Sequence, residues 1–155
     1  DGGHGRTSPP SGSFTMVSAG WYHNCAINTA GSVECWGSNY TGETEAPEGG
    51  FTSVSAGGGF SCGVRESGAV DCWGSSPAPV PTSGSFVTVA AGASHACAID
   101  TSGNTHCWGT DEHSESTPPA SVLTDLSLGN LYSCGVSSRV ELVCWGSVPA
   151  GIDDW

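Results

Sequence analysis

The chain has 155 residues, of which 24 are glycine and 9 are proline, and only 12 % are charged. Three arginines and no lysine stand against 15 acidic residues, for a net charge of −12. This length suits one domain, the glycine and proline content speaks against long helices, and the charge would repel both a phosphate backbone and an anionic membrane.

No apolar run approaches the roughly 20 residues that a membrane span needs. The chain begins at Asp1 and not at a methionine, as a processed mature chain or a segment of a longer one would.

Residues 1–13 contain Ser8-Pro9-Pro10-Ser11-Gly12-Ser13 and read as a linker, or as a segment that closes a sheet. A pattern then begins that recurs four times, over about 14–50, 51–85, 86–121 and 122–155, within a single domain 1–155. Copy one runs from Phe14 through Val17-Ser18-Ala19-Gly20 and His23-Asn24-Cys25-Ala26-Ile27 to Val33-Glu34-Cys35-Trp36-Gly37. Copy two runs from Phe51 to Cys72-Trp73-Gly74, copy three from Phe86 to Cys107-Trp108-Gly109, and copy four from Leu123 to Cys144-Trp145-Gly146. The equivalent glycines Gly20, Gly57, Gly92 and Gly129 lie 37, 35 and 37 residues apart. Variable Pro/Gly/Ser stretches separate the copies.

Each copy predicts three or four short strands. Asn28-Thr29-Ala30-Gly31 and Asp100-Thr101-Ser102-Gly103 have the composition of hairpin turns, in which a late glycine accepts positive φ. Copy four has Ser137-Ser138-Arg139 and no such glycine, so its turn is expected to differ. One small sheet is unstable alone, so the copies must pack on each other.

Every cysteine falls inside the repeat, and the pairs Cys25/Cys35, Cys62/Cys72, Cys97/Cys107 and Cys134/Cys144 share a spacing of ten. A hairpin turning midway sets such residues opposite each other, at about the Cα separation a disulfide accepts. Reduced pairs and a metal site are the rivals, but the close C-x-x-C spacing of metal sites does not occur. Four disulfides imply an oxidising compartment, hence a secreted or cell-surface protein.

The landmarks Gly20, His23, Cys25, Ala26, Ile27, Gly31, Val33, Trp36, Gly37 and Asn39 closely resemble the regulator of chromosome condensation repeat, and the other copies keep its glycine and Trp-Gly positions. The resemblance implies an all-β fold, a β-propeller in which each repeat supplies about one blade. That family usually has seven blades and no paired cysteines. Four copies predict a four-bladed propeller, as a ring that the chain ends complete, a half-ring paired with another copy, or part of a longer array.

No nucleophile elbow, zinc-protease helix or phosphate loop is present. His23 and His95 alternate with Phe60 and Tyr132 at one repeat position, which suits packing better than catalysis. Trp36, Trp73, Trp108 and Trp145 read as blade-to-blade packing and not as sugar platforms. Asp100–Asn104 reads as a turn and not as a calcium loop, and Asp111–Glu115 as a solvated acidic loop. Asn39-Tyr40-Thr41 fits a glycosylation sequon. The sequence calls for no cofactor, no metal and no catalytic residue.

The expected function is therefore that of a non-enzymatic extracellular structural protein, self-assembling through its ends and propeller faces, with Phe14, Ile152 and Trp155 as apolar anchors. The alternative is a secreted module that binds a protein or a glycan through its variable loops.

Overall fold

A computed structural model describes residues 5–147 of the chain. Each repeat folds into one three-stranded antiparallel sheet. Blade 1 comprises β1 (Phe14–Ala19), β2 (His23–Asn28) and β3 (Val33–Gly37). Blade 2 comprises β4 (Phe51–Ala56), β5 (Phe60–Arg65) and β6 (Val70–Gly74). Blade 3 comprises β7 (Phe86–Ala91), β8 (His95–Asp100) and β9 (Thr105–Gly109). Blade 4 comprises β10 (Leu123–Leu128), β11 (Tyr132–Ser137) and β12 (Leu142–Gly146). The architecture is a β-propeller of four blades, and the inner ends of all four first strands surround one depression of about 240 Å³.

The second and third strands of each blade meet in a register that places Cys25 opposite Cys35, Cys62 opposite Cys72, Cys97 opposite Cys107 and Cys134 opposite Cys144. All four pairs are disulfides, each with Cα atoms 4.0 Å apart. Each bridge closes a loop of ten residues, for which the chain-entropy estimate is about 3 kcal/mol or less.

Packing runs from each blade to the next through three apolar clusters. Cys25 and Ile27 of blade 1 meet Phe51, Val54, Ala56 and Trp73 of blade 2. Phe60, Cys62, Val64 and Val70 of blade 2 meet Phe86, Val89, Ala91 and Trp108 of blade 3. Cys97 and Ile99 of blade 3 meet Leu123 and Trp145 of blade 4. Every blade thus has two faces: a cystine face toward the following blade, and a face of Phe or Leu, Val or Leu, and Trp toward the preceding one. Trp73, Trp108 and Trp145 lie in these seams. No strand of blade 1 packs along a strand of blade 4 among the described residues.

The turns repeat one design. Asn28 Oδ1 accepts hydrogen bonds from the amides of Ala30 and Ser32, and Asp100 Oδ1 from those of Ser102 and Asn104. Against expectation, the blade 4 turn follows the same plan. Ser137 Oγ accepts from the amides of Arg139 and Glu141, and the Val140 amide donates to the Ser137 carbonyl. The missing glycine is replaced by Val140 itself, at φ 65. A β-branched residue is strained in that region, and Val140 is 87 % exposed, so its side chain gains little from burial in return. Val140→Gly is therefore expected to stabilise the chain by about 1 kcal/mol, after glycine's own entropy cost is subtracted. A urea titration of the two proteins reads this directly, and an unchanged or lower midpoint refutes it.

Candidate interaction faces

Polar groups join each blade to the next at several points. At the inner rim the backbones touch. The amide of Trp21 donates to the Gly57 carbonyl, that of Gly58 to the Gly92 carbonyl, and that of Ala93 to the Gly129 carbonyl. At the opposite end the Phe51 amide donates to the Gly31 carbonyl, Phe86 to Gly68 and Leu123 to Gly103. Between these ends Ser18 Oγ accepts from the Ala56 amide, and Ser55 Oγ from the Ala91 amide, each at 3.0 Å.

Two seams carry a buried polar pin. His23 Nε2 lies 2.7 Å from Ser61 Oγ, and His95 Nε2 lies 2.8 Å from Ser133 Oγ. Each serine donates onward to a linker carbonyl, Ser61 to Glu43 and Ser133 to Glu115. The same two carbonyls accept from the indole N–H of Trp73 and of Trp145. With its own proton committed, each serine accepts from the histidine, so the ring carries its proton on Nε2. Burial pushes both histidines below their ordinary pKa of 6.5, against the opposing pull of Glu43 and of Glu115. The Glu43 carboxylate is itself buried, which would raise its pKa. Hydrogen bonds from the hydroxyl and amide of Thr41 and the hydroxyl of Ser38 outweigh that burial and hold it at about 2.

A histidine beside a serine and a glutamate has the composition of a nucleophilic site, but the geometry is that of a tie. His23, His95, Ser61 and Ser133 are at most 1 % exposed, and the glutamates contribute backbone carbonyls, not carboxylates, to the serines. The packing role expected of the two histidines is thus sharper than packing alone. The glutamates were not foreseen, although they fall seven residues after Trp36 and Trp108 in just the two linkers that lead into serine-bearing blades. Blade 1 has a related tie, in which Arg6 of the N-terminal segment offers its carbonyl to Asn24 Nδ2 and Trp36 Nε1.

Among the described residues the outermost faces of blades 1 and 4 have no neighbouring blade packed along them. On blade 1, Val17 is 67 % exposed, where the equivalent Val54 and Val89 are 1 % and 4 % exposed. Phe14 is half-buried, where Phe51 and Phe86 are buried. On blade 4, Leu142 is 74 % exposed, where the equivalent Val70 is 6 % exposed. Leu142, Cys134, Val136 and Leu126 line a small groove on that face. Ile152 and Trp155 lie outside the described residues.

Asn39 is exposed, and its side chain ties down its own loop, donating to Glu45 Oε1 and accepting from the Thr44 amide. Asp100 caps its hairpin, as expected, and also receives a hydrogen bond from His106, which lowers its pKa further than the bonds from Asn104 alone. In the acidic loop, Asp111 accepts from Ser116 and Thr117. Glu115 is fully buried and not solvated, and accepts from the His113 amide. Among the described residues no group of three or more His, Cys, Asp or Glu side chains is placed to hold a metal ion.

The blade geometry and the Gly, Cys-Trp-Gly landmarks have a counterpart among known proteins. The sequence profile described as the regulator of chromosome condensation (RCC1) repeat matches residues 15–43, 51–77 and 86–115. The chain belongs to this repeat family. The RCC1 repeat match stops at blade 3, and the structure adds blade 4 with the same strands and bridge. No curated protein matches the chain. Among solved structures it is similar to the Crinkly WD40 ectodomain of the Arabidopsis thaliana receptor kinase ACR4, with 32 % identity and a TM-score of 0.74 over 86 % of this chain and 50 % of that one. It is similar to the ectodomain of the Physcomitrella patens receptor kinase CR4, with 30 % identity and a TM-score of 0.73 over 86 % of this chain and 40 % of that one. Prp20p of Saccharomyces cerevisiae, a structure described with its binding to Gsp1p and histones, shares the fold at 15 % identity, with a TM-score of 0.72 over 86 % of this chain and 44 % of that one. The chain therefore spans half or less of the length of these three structures.

Proposed function

We propose that this chain is a non-enzymatic extracellular structural module that joins to further copies of itself through the free faces of its outer blades. One observation carries the reading: those two faces are the halves of an interface already built three times within the chain. Blade 1 offers Phe14, Val17 and Trp36, the positions that fill the seam on the following blade elsewhere. Blade 4 offers the cystine Cys134–Cys144 with Val136 and Leu142, the positions that receive them. The polar groups match as well. On blade 4 the Asn130 amide, the Val140 carbonyl and Ser127 Oγ are the equivalents of groups that bond the next blade at the other seams. On blade 1 the corresponding partners are the Gly20 carbonyl and the amides of Phe14 and Ala19. Four disulfides support the extracellular setting, as does the likeness to two receptor ectodomains.

The charge of −12 opposes contact between copies, so association is expected to strengthen as salt screens it. Light scattering at rising protein and salt concentrations should show a mass that grows in whole copies. Val17→Asp and Leu142→Asp each place a charge on one free face without touching a built seam, and each should return the chain to a monomer. A chain that stays monomeric at high concentration and high salt, or assemblies indifferent to both substitutions, would sink the proposal.

A further inference from the structure

One end of the propeller carries a second surface, separate from the blade faces. The loops between first and second strands, together with the segments after the third strands, enclose an open cleft of about 770 Å³. Trp21 and Tyr22 stand at its edge, each 53 % exposed, with their rings at 82° and centroids 6.4 Å apart. The Arg6 guanidinium lies 5.7 Å from the centre of the Tyr22 ring.

The repeat does not require these two aromatics. The same positions hold Gly58-Gly59 in blade 2 and Ala93-Ser94 in blade 3. The backbone there is held alike in all three blades, since the Trp21, Gly58 and Ala93 amides make the same hydrogen bond to the following blade. Small residues thus satisfy the fold. A pair of large rings half in water adds little to stability and leaves apolar surface exposed, which marks a contact site in a soluble protein. The small residues on blades 2 and 3 are what leave room beside the rings.

The remaining walls narrow the class of ligand. Ser75, Ser76, Ser94 and Thr110 bring hydroxyl groups to the cleft, and among the described residues none that lines it is charged, the nearest noted charge being Arg6 against the Tyr22 ring, in a chain whose net charge is −12. An aromatic plate with a few fixed polar groups around it is the usual chemistry of a small-ligand site. A pyranose ring has the matching form, with one face of C–H groups to lie on an indole and a rim of hydroxyls to exchange hydrogen bonds with serine and threonine. An uncharged cleft in a strongly acidic protein favours neutral sugars over sialylated, sulfated or uronic ones. We propose that the cleft beside Trp21 and Tyr22 binds a neutral, pyranose-containing glycan.

The test is an array of immobilised neutral oligosaccharides, their sialylated and sulfated counterparts, and a polyproline peptide. It is probed with the whole chain displayed as a tetramer on streptavidin, so that weak single-site binding registers. Binding to at least one neutral glycan is expected, with at least a tenfold weaker signal for its anionic counterpart. Trp21→Ala should lower the signal at least tenfold while leaving the thermal midpoint unchanged. Tyr22→Ser, which installs the residue of blade 3 at that position, provides a second variant should the first misfold. Capture of the peptide alone, no binding to any neutral glycan, or glycan binding that survives both substitutions would overturn the proposal.

Discussion

Gly57→Ala is expected to cost the chain about 3 kcal/mol of stability, whereas Gly59→Ala, two residues away, leaves it unchanged. A Cβ on Gly57 would sit 2.6 Å from the Gly92 carbonyl oxygen of the next blade and 2.9 Å from the Phe60 ring. Neither neighbour can retreat easily. The carbonyl is already bonded to the Gly58 amide, and Phe60 is 1 % exposed in the largest apolar cluster. Overpacking a well-filled site costs about 1–3 kcal/mol, and a clash against backbone lies at the upper end of that range. At Gly59 the nearest atom to a new Cβ is Thr41 Oγ1, at 3.8 Å, which is ordinary contact. Urea or thermal melts of the two variants side by side test the claim, and equal midpoints would refute it. Gly20, Gly57 and Gly92 are thus kept small by a carbonyl of the next blade, whereas the Trp-Gly glycines Gly37, Gly74, Gly109 and Gly146 are needed for their positive φ.

Acid should weaken the fold in two stages, and the signs follow from the groups involved. His23 and His95 are held neutral by burial, with folded pKa values below 6.5. Below pH 6.5 the unfolded chain takes up protons that the folded chain refuses, so stability falls from there until the folded values are reached. Glu43 ionises at about 2 in the fold against an ordinary value of 4.5. Its contribution is complete above about pH 4.5 and is lost as pH drops from there toward 2, and Glu115 acts in the same direction. Relief of the net negative charge works the other way, so variants are needed to isolate the sites. His95→Phe, which copies blade 2, should flatten the decline just below pH 6.5. Glu43→Gln should lower stability at pH 7 by about 2 kcal/mol, since its hydrogen bonds no longer end on a charge, and should flatten the decline below pH 4.5. Denaturant midpoints recorded from pH 7 to pH 3 provide the check. Unfolding curves with the wild-type pH dependence in both variants would remove the assignment.

Much of this fold is legible in the residues themselves. The ten-residue cysteine spacing contains its own hairpin, because strand register and turn length fix which residues face each other. The glycine and Cys-Trp-Gly landmarks recur often enough to count the blades. The polar pins were harder to read, because His23 and Ser61 lie 38 residues apart and meet only after two blades stack. Their trace in the sequence is an alternation, His-Asn, Phe-Ser, His-Ala and Tyr-Ser at positions 23–24, 60–61, 95–96 and 132–133, with a glutamate before each serine-bearing blade. Reading it requires a comparison of each repeat with the next but one. The blade 4 turn keeps its shape without a glycine because Val140 accepts the strain of positive φ, which no residue preference signals. Trp21 and Tyr22 carry no repeat signal, because the equivalent positions hold Gly58-Gly59, Ala93-Ser94 and Asn130-Leu131.

The alternation also bears on how such an array can lengthen. The seam between blades 2 and 3 has no pin. Phe60 and Ala96 stand where histidine and serine meet elsewhere, and Trp108 Nε1 has no acceptor among the described residues. Blades 1 and 2 therefore form one matched couple, and blades 3 and 4 another, offset by the 72 residues from His23 to His95. A gene that gained or lost a single repeat would set a histidine against a seam with no serine, or bury a serine without its histidine. Gain or loss of a couple keeps every donor opposite an acceptor. The smallest unit that preserves this pairing is two blades, so repeat numbers in related chains that keep the pins are expected to change by twos.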